Sequence, residues 1–148
     1  MAVEKNMGKV RWTDEQLEAR VQEIIASAGG GGGTELLWEN PDDTLSFAYQ
    51  IITLAKPITN YKFYEVLARF QNNSHQMVSS GKSVVERSIF AQGLVIGKGI
   101  GLRSFTPIYQ DDPLKMYVND CYVYASLTST SSTKDNTRYI PYMILGYK

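Results

Sequence analysis

The sequence predicts a mainly β protein, an antiparallel β-sandwich or jelly-roll-like domain preceded by a short N-terminal α-helix. Three observations predict it. Seven or eight short runs, many rich in aromatic and β-branched residues, follow residue 34, with turn residues between them at fairly regular intervals. Before them lies a run of apolar residues at helical spacing, and five consecutive glycines separate the two patterns.

The helix is predicted over about residues 13–28. Thr13 is placed to cap it, Gln16 completes a capping box, and Gly29 stands where helices commonly end. One face carries apolar residues at the spacing of a heptad seam, and these are the predicted oligomerisation or docking residues: Leu17, Val21, Ile24, Ile25 and Ala28. Because an isolated helix of roughly 15 residues is marginal in water, this stripe must be buried on its own domain, on copies of itself or on another protein.

A flexible hinge is predicted at Gly29, Gly30, Gly31, Gly32 and Gly33. A coil of five glycines spans roughly 10–13 Å, which decouples the orientation of the parts it joins. Such a joint weakens fixed docking of the helix on its own domain, so burial between molecules is the favoured expectation. The expected organisation is an anchoring or oligomerisation segment over 1–28, a linker over 29–33 and a β-sandwich over 34–148.

Strands are expected in order at "TELLWE", "SFAYQIITL", "KFYEVLARF", "SVVERSIF", "GLVIGKGIGLRSF", "LKMYVNDCYVYASL" and "RYIPYMILGY", the fourth and fifth segments together being strands interrupted by glycines. Alternation places Phe47, Tyr49, Ile51 and Thr53 on one side of the second strand, and Tyr64, Val66, Ala68 and Phe70 on one face of the third. "TSTSSTKDNT" is expected to be a polar loop. Pro141 places the last strand at a sheet edge or at a bulge, because proline has no N–H to donate.

Composition excludes several function classes. The 15 basic and 15 acidic residues balance without a run of one sign, which disfavours nucleic-acid and anionic-membrane partners. We expect no signal peptide, because "MAVEKNMGKV" lacks a continuous apolar core, and no membrane insertion, because no stretch approaches about 20 apolar residues. The protein is therefore expected to be made in the cytoplasm. The single cysteine, Cys121, rules out an internal disulfide and is expected to be buried in a strand.

Catalytic and metal motifs are weak. His75 lies in a polar loop without a marked nucleophile, and one histidine with one distant cysteine does not make a zinc site. The glycines of "GKGIG" lack the spacing of a phosphate-binding loop and are expected to serve a bulge, a tight turn or close packing. The aspartate pairs Asp42–Asp43 and Asp111–Asp112 are expected to form turns. We expect no catalytic residue, cofactor or metal.

The ten tyrosines are more informative than any other residue type, and they crowd the last third of the chain, among them Tyr117, Tyr122, Tyr124, Tyr139, Tyr142 and Tyr147. A tyrosine offers an apolar ring and one hydrogen-bonding tip, which suits interfaces, and aromatic faces also stack on sugar rings. Packing in the core and on sheet faces accounts for most of them. The candidates for ligand contact are Tyr117, Tyr122 and Tyr124.

Two segments carry a resemblance to a known group of proteins. "ELLWENPDDTLSFAYQIITL" followed by "YKFYEVLARF" resembles the opening of small β-domains in tailed-bacteriophage virion proteins, and "YIPYMILGYK" resembles their closing strand. The matches span residues 35–70 and 139–148. The resemblance implies a virion location, usually as a trimer, often with binding to the host surface, and no catalytic residue to carry over.

The leading hypothesis is therefore a virion appendage, such as a tail fibre, that docks on itself or other virion proteins through its N-terminal segment. Its displayed β-domain would contact host surface glycan. A capsid head fibre or decoration protein is the alternative within this class. A small glycan hydrolase is the alternative from another class and would need a carboxylate pair drawn from Glu65, Glu86, Asp111, Asp112 and Asp120.

Overall fold

The computed structural model describes residues 4–6, 9–11, 15–16, 18–20, 22–23, 33–41, 46–71, 77–95, 97–126 and 128–148. This part of the chain is mainly β with antiparallel sheets, as the sequence predicts. Several predicted features lie outside the described residues: the seam residues Leu17, Val21, Ile24, Ile25 and Ala28, the hinge glycines Gly29 to Gly32, and His75, Asp42 and Asp43.

The described residues of the predicted helix, 15–16, 18–20 and 22–23, are helical. A hairpin that the sequence analysis did not predict precedes them, formed by β1 (Glu4–Asn6) and β2 (Lys9–Arg11). Glu18 of the helix lies against Glu39 of the β-domain, and burial followed by the Glu18 charge raises the pKa of Glu39. This contact is expected if the helix packs on its own domain. The sequence made that alternative less favoured than burial between molecules, because of the glycine run. Within the described residues, no helix has the length and apolar character needed to cross a membrane.

Four strands form the first sheet, called sheet I: β3 (Thr34–Glu39), β5 (Phe63–Gln71), β6 (Met77–Val84) and β12 (Arg138–Tyr147), in the order β3-β12-β5-β6. The last strand, β12, thus lies between β3 and β5, so the expectation of an edge position is wrong. The expectation of a bulge is confirmed, because the β12–β5 register shifts between Pro141 and Met143. The bulge accommodates the missing proline N–H.

Six strands form the second sheet, sheet II: β4 (Gln50–Thr53), β7 (Ile89–Val95), β8 (Gly99–Pro107), β9 (Lys115–Val118), β10 (Tyr122–Tyr124) and β11 (Ser132–Lys134). The long strand β8 is central. One of its edges pairs with β7, and the other pairs with β10 at one end and with β9 at the other. The short strands β9 and β10 therefore lie end to end, with β4 beside β9 and β11 beside β10.

Four details of the predicted strands are wrong. "SVVERSIF" is not one strand, because β6 ends at Val84 and β7 starts at Ile89 after a turn. "LKMYVNDCYVYASL" is divided into β9 and β10, and the predicted polar loop contains β11. Phe47 precedes β4 and is buried, whereas Tyr49 and Ile51 are exposed, so Phe47 does not share their side.

The hydrophobic core lies between the two sheets, in a β-sandwich-like arrangement. Sheet I contributes Leu37, Tyr64, Val66, Ala68 and Ile144 among others, and sheet II contributes Ile52, Ile89, Ala91, Phe105, Met116 and Val118. The Tyr64 hydroxyl donates to the Arg87 carbonyl at 2.6 Å and lies 3.2 Å from that of Phe105, which ties the sheets together. Cys121 is buried in this core as predicted, but it lies in the break between β9 and β10 and not in a strand; burial raises the pKa of its thiol to about 11.

The glycines of "GKGIG" serve backbone geometry. Gly97, in the turn that joins β7 to β8, and Gly99, the first residue of β8, have positive φ values of 75° and 123°. A Cβ on Gly99 would lie 1.8 Å from the carbonyl oxygen of Tyr124, so only glycine lets β8 approach β10 here. The prediction of a tight turn and close strand packing is confirmed.

Candidate ligand-binding groove

A groove opens on the outward face of sheet II, where the chain breaks between β9 and β10. Its volume is about 250 Å³ and its walls are Tyr49, Leu102, Ser104, Asn119, Asp120, Tyr122 and Tyr124. In β9 the inward-facing, buried residues are Met116 and Val118, at even positions. After the break they are Cys121 and Val123, at odd positions, so one extra residue lies between the two strands. The extra residue turns Asn119 and Asp120 towards the groove instead of into a regular ladder.

Two of the three predicted ligand-contact tyrosines, Tyr122 and Tyr124, line this groove. They point outwards because Val123 between them is buried in the opposite direction. The third, Tyr117, is 36% exposed on β9 and lies at the groove's margin. Its ring stacks on that of Tyr49, with centroids 6.3 Å apart and planes 16° apart. The structure therefore brings all three predicted tyrosines to one region of one sheet face.

Asp120 is the charged group of the groove and is fixed from several sides. Its Oδ1 accepts hydrogen bonds from the Tyr49 backbone N–H at 2.9 Å and from the Asn136 side-chain amide at 2.7 Å. Its Oδ2 pairs with the Lys134 ammonium at 3.2 Å. The Tyr49 hydrogen bond, followed by that of Asn136, lowers the pKa of Asp120. Asp120 is thus an ionised, oriented acceptor at neutral pH.

Arg103 supports the groove from beneath. Its side chain is fully buried, and its guanidinium donates to four backbone carbonyl oxygens: those of Phe47 at 2.8 Å, Asn119 at 2.6 Å, Asn136 at 3.4 Å and Arg138 at 3.1 Å. Burial lowers its pKa to about 10, so the group stays charged at neutral pH. One side chain therefore holds three chain segments that meet behind Asp120.

Asn119 and Ser104 complete the polar part of the groove. The Asn119 side-chain N–H donates to the Ser104 hydroxyl at 2.6 Å, which leaves the amide oxygen of Asn119 as an acceptor beside Asp120. Aromatic faces next to a carboxylate, an amide and a hydroxyl suit a ligand with apolar ring faces and several hydroxyl groups. A carboxyl group with a lowered pKa does not suit proton donation at neutral pH, which a glycosidase acid requires.

The carboxylates named for a hydrolase do not meet in the groove. Among them, only Asp120 lies there: Glu65 is on β5 of sheet I, Glu86 is in the turn before β7, and Asp111 and Asp112 are in the turn after β8. In the described part of the chain, no group of three or more histidine, cysteine, aspartate or glutamate residues could hold a metal ion.

Sequence reasoning missed Tyr49, Asn119 and Ser104 as groove residues, and it considered Asp120 only as a hydrolase carboxylate. Tyr49 lies 71 positions from Asp120 in the chain, so only the pairing of β4 with β9 brings it there. One signal was present in the sequence: the inward residues change from even to odd positions at Asn119–Asp120, which indicates a break in the strand.

The chain gave no significant match to any protein-family model, curated protein or solved structure. Its groove must therefore be interpreted from its own residues.

Proposed function

We propose that this protein is a bacteriophage virion structural protein. It forms a homo-oligomeric appendage, a trimer in this proposal, whose β-domain binds cell-surface carbohydrate. The observation that carries the binding part is the groove in which Tyr49, Tyr122 and Tyr124 surround the fixed carboxylate of Asp120. The virion part rests on the resemblance of residues 35–70 and 139–148 to phage virion β-domains. The proposal includes jelly-roll-like connectivity and a flexible glycine joint.

The groove is large enough to hold only a small part of a polysaccharide ligand. Its volume of about 250 Å³ is below the roughly 300–1,000 Å³ of sites for drug-sized ligands. One sugar unit of a longer polysaccharide fits that scale. A single small contact of this kind corresponds to a dissociation constant on the order of 1 mM. Display of several copies on one virion raises the effective affinity about 10²–10⁴-fold without new contacts, which is how weak sites support attachment.

Binding is tested with the full chain on an array of bacterial surface polysaccharides. We expect binding that Tyr122→Ala or Tyr124→Ala reduces about tenfold or more, since stacking and burial of an aromatic ring commonly contribute more than 1.4 kcal/mol. The matched control is Phe63→Ala, which removes a 41% exposed aromatic ring from sheet I. If all three variants bind equally well, the groove is not the glycan-binding site.

Placement and chemistry are tested separately. Imaging of labelled virions distinguishes the alternatives within the class, because label confined to the shell supports the head fibre or decoration protein and excludes the tail. Incubation with the bound polysaccharide tests the other class. Release of reducing ends, lost in the Asp120→Asn variant, would replace the adhesion proposal by a glycan hydrolase.

A further inference from the structure

The outward face of sheet I is apolar and is covered within a single chain. Its two central strands place Leu67, Met143 and Leu145 there, and none of the three is more than 3% exposed. Their neighbours Val66 and Ile144 point the other way, into the core between the sheets. Since each sheet of a sandwich buries only one face against the other sheet, a third element of the chain must lie on this outward face.

The N-terminal helix reaches this face. Glu18, one of its described residues, lies against Glu39 at the end of β3. Glu39 is paired in register with Met143, so the two side chains are on the same side of the sheet. The contact therefore places the helix on the side where Met143 is buried.

The helix shows its polar side to solvent. Glu15, Gln22 and Glu23 are exposed, and the Gln22 amide donates to the Glu18 carboxylate at 3.0 Å. Because an α-helix has about 3.6 residues per turn, the sequence puts the predicted apolar stripe on the opposite side. This stripe is the set of docking residues predicted from the sequence, Leu17, Val21, Ile24, Ile25 and Ala28. An exposed polar side leaves the stripe for the surface beneath the helix.

The lengths of the segments fit this placement. From Thr34 to Glu39, β3 advances about 17 Å. The predicted helix advances about 15 Å from Glu18 to its expected end at Ala28. A helix antiparallel to β3 that passes beside Glu39 thus ends above Thr34. The five glycines span roughly 10–13 Å, which matches the distance of about 10 Å between layers packed face to face.

We propose that the N-terminal helix docks its apolar stripe on the outward face of sheet I of its own chain, over β3 and β12. The stripe is also the surface that the sequence assigns to oligomerisation or docking, so this contact withholds it from other molecules. Association through the stripe then requires the helix to leave sheet I, which the glycine run permits without moving the β-domain. The proposal does not depend on glycan binding, because the groove lies on sheet II.

The first test joins two thiols in the full chain carrying Glu18→Cys and Glu39→Cys, with a short bis-maleimide. Denaturing mass spectrometry then separates links within one chain from links between two chains. At micromolar protein we expect the first kind to exceed the second at least about tenfold, since a short tether gives an effective concentration in the millimolar range. The native Cys121 contributes little signal, because it is buried.

The matched control pairs Glu18→Cys with Glu86→Cys, at an exposed position in the turn before β7. We expect it to form far fewer links within the chain. Equal linking in the two double variants would overturn the proposal. A majority of links between chains would overturn it as well, because the helix would then lie on a second copy.

The second test asks which face opens when the helix is released by Val21→Glu, which puts a charge into the stripe. Met143→Cys reports the outward face of sheet I, and Ile144→Cys reports the core. We expect Val21→Glu to speed thiol labelling about tenfold or more at position 143 and less than about twofold at position 144. Equal acceleration at both positions, or none at position 143, would overturn the proposal. Val21→Glu should keep its polysaccharide binding, so the glycan proposal is judged separately.

Discussion

The outward faces of the two sheets are organised in opposite ways. On sheet I, large apolar side chains are buried within the single chain: Leu67, Met143 and Leu145 are at most 3% exposed. The carboxylate beside them, Glu65, accepts hydrogen bonds from the Ser79 and Tyr147 hydroxyls, and Lys82 lies 3.9 Å above the Tyr147 ring centroid. On sheet II, apolar side chains stay open to solvent, and the polar groups are fixed at one margin or below the sheet.

This difference indicates where partners bind. Among the described residues of sheet I, only Phe63 and Val84 at one end are exposed apolar residues, so the rest of that face gains little from further contact. The exposed apolar residues of sheet II gain about 25 cal/mol for each Å² removed from water. Sheet II also concentrates its rigid support in one residue, Arg103, which lies directly behind the groove. The two faces are therefore separable by mutation, and the predictions below test this in order of decreasing effect.

The largest effect is expected from Arg103→Met, which removes, at nearly constant volume, four hydrogen bonds to backbone carbonyl oxygens in buried or partly buried positions. Since each carbonyl left without a donor costs about 1–3 kcal/mol and loss of the buried charge offsets part of this, we expect a loss of about 3–5 kcal/mol in the free energy of unfolding. Urea denaturation measures it. Arg103→Lys keeps the charge and part of the bonding, so it should lose less. Equal stability of wild type and Arg103→Met would contradict the bracing role.

The second effect compares Gly97, in the turn before β8, with Gly99, the first residue of β8. Gly99→Ala should lose about 2–4 kcal/mol, because φ is +123° and the new methyl group would collide with the Tyr124 carbonyl oxygen. Gly97→Ala has a positive φ of +75° but nothing within 4 Å of its Cβ position, so it should lose about 1 kcal/mol. Thermal unfolding of both variants checks the difference. Because Tyr124 lines the groove, only Gly99→Ala should also weaken glycan binding; similar losses in both would mean that close approach is unimportant.

The sequence predicts the strands of this fold better than their placement. The alternation of Tyr64, Val66 and Ala68 predicts the buried face of β5, because one-sided burial leaves a period of two in the sequence. The central position of β12 could not be predicted, since a bulge lets Pro141 sit where an unbroken ladder would exclude it. For the groove, the sequence singled out Tyr122 and Tyr124 in its walls and Tyr117 at its margin, whereas Tyr49 and Asp120 meet only through the pairing of β4 with β9.

A third prediction concerns the hydroxyl groups that cross between the sheets. Tyr64→Phe removes a hydroxyl bonded to the opposite sheet and should lose about 1 kcal/mol. Tyr139→Phe removes a buried hydroxyl that has no hydrogen-bond partner among the described residues, so its stability should match or slightly exceed that of the wild type. Chemical denaturation of the two variants measures the change in the free energy of unfolding for each. An equal loss in both would show that the Tyr139 hydroxyl has an ordered partner, such as a buried water.

The smallest effect is expected from Glu35→Gln at the rim of sheet I. Glu35 accepts hydrogen bonds from Lys56 at 2.7 Å and from the Tyr61 hydroxyl, and pairs with Lys148 at 2.9 Å, which together lower its pKa from 4.5 to about 2. A carboxyl whose folded pKa is depressed stabilises the fold fully above its unfolded pKa and loses that contribution as protons bind to it.

The contribution of Glu35 should therefore be complete above about pH 4.5 and disappear as the pH falls towards 2. Urea midpoints at several pH values should show wild type above Glu35→Gln at pH 7, with the two converging in that window. Because both lysine partners are more than half exposed, salt should narrow the gap. Glu86→Gln also removes one carboxylate and controls for net charge. A gap that widens on acidification would mean that this ion cluster does not hold the end of the chain to β3.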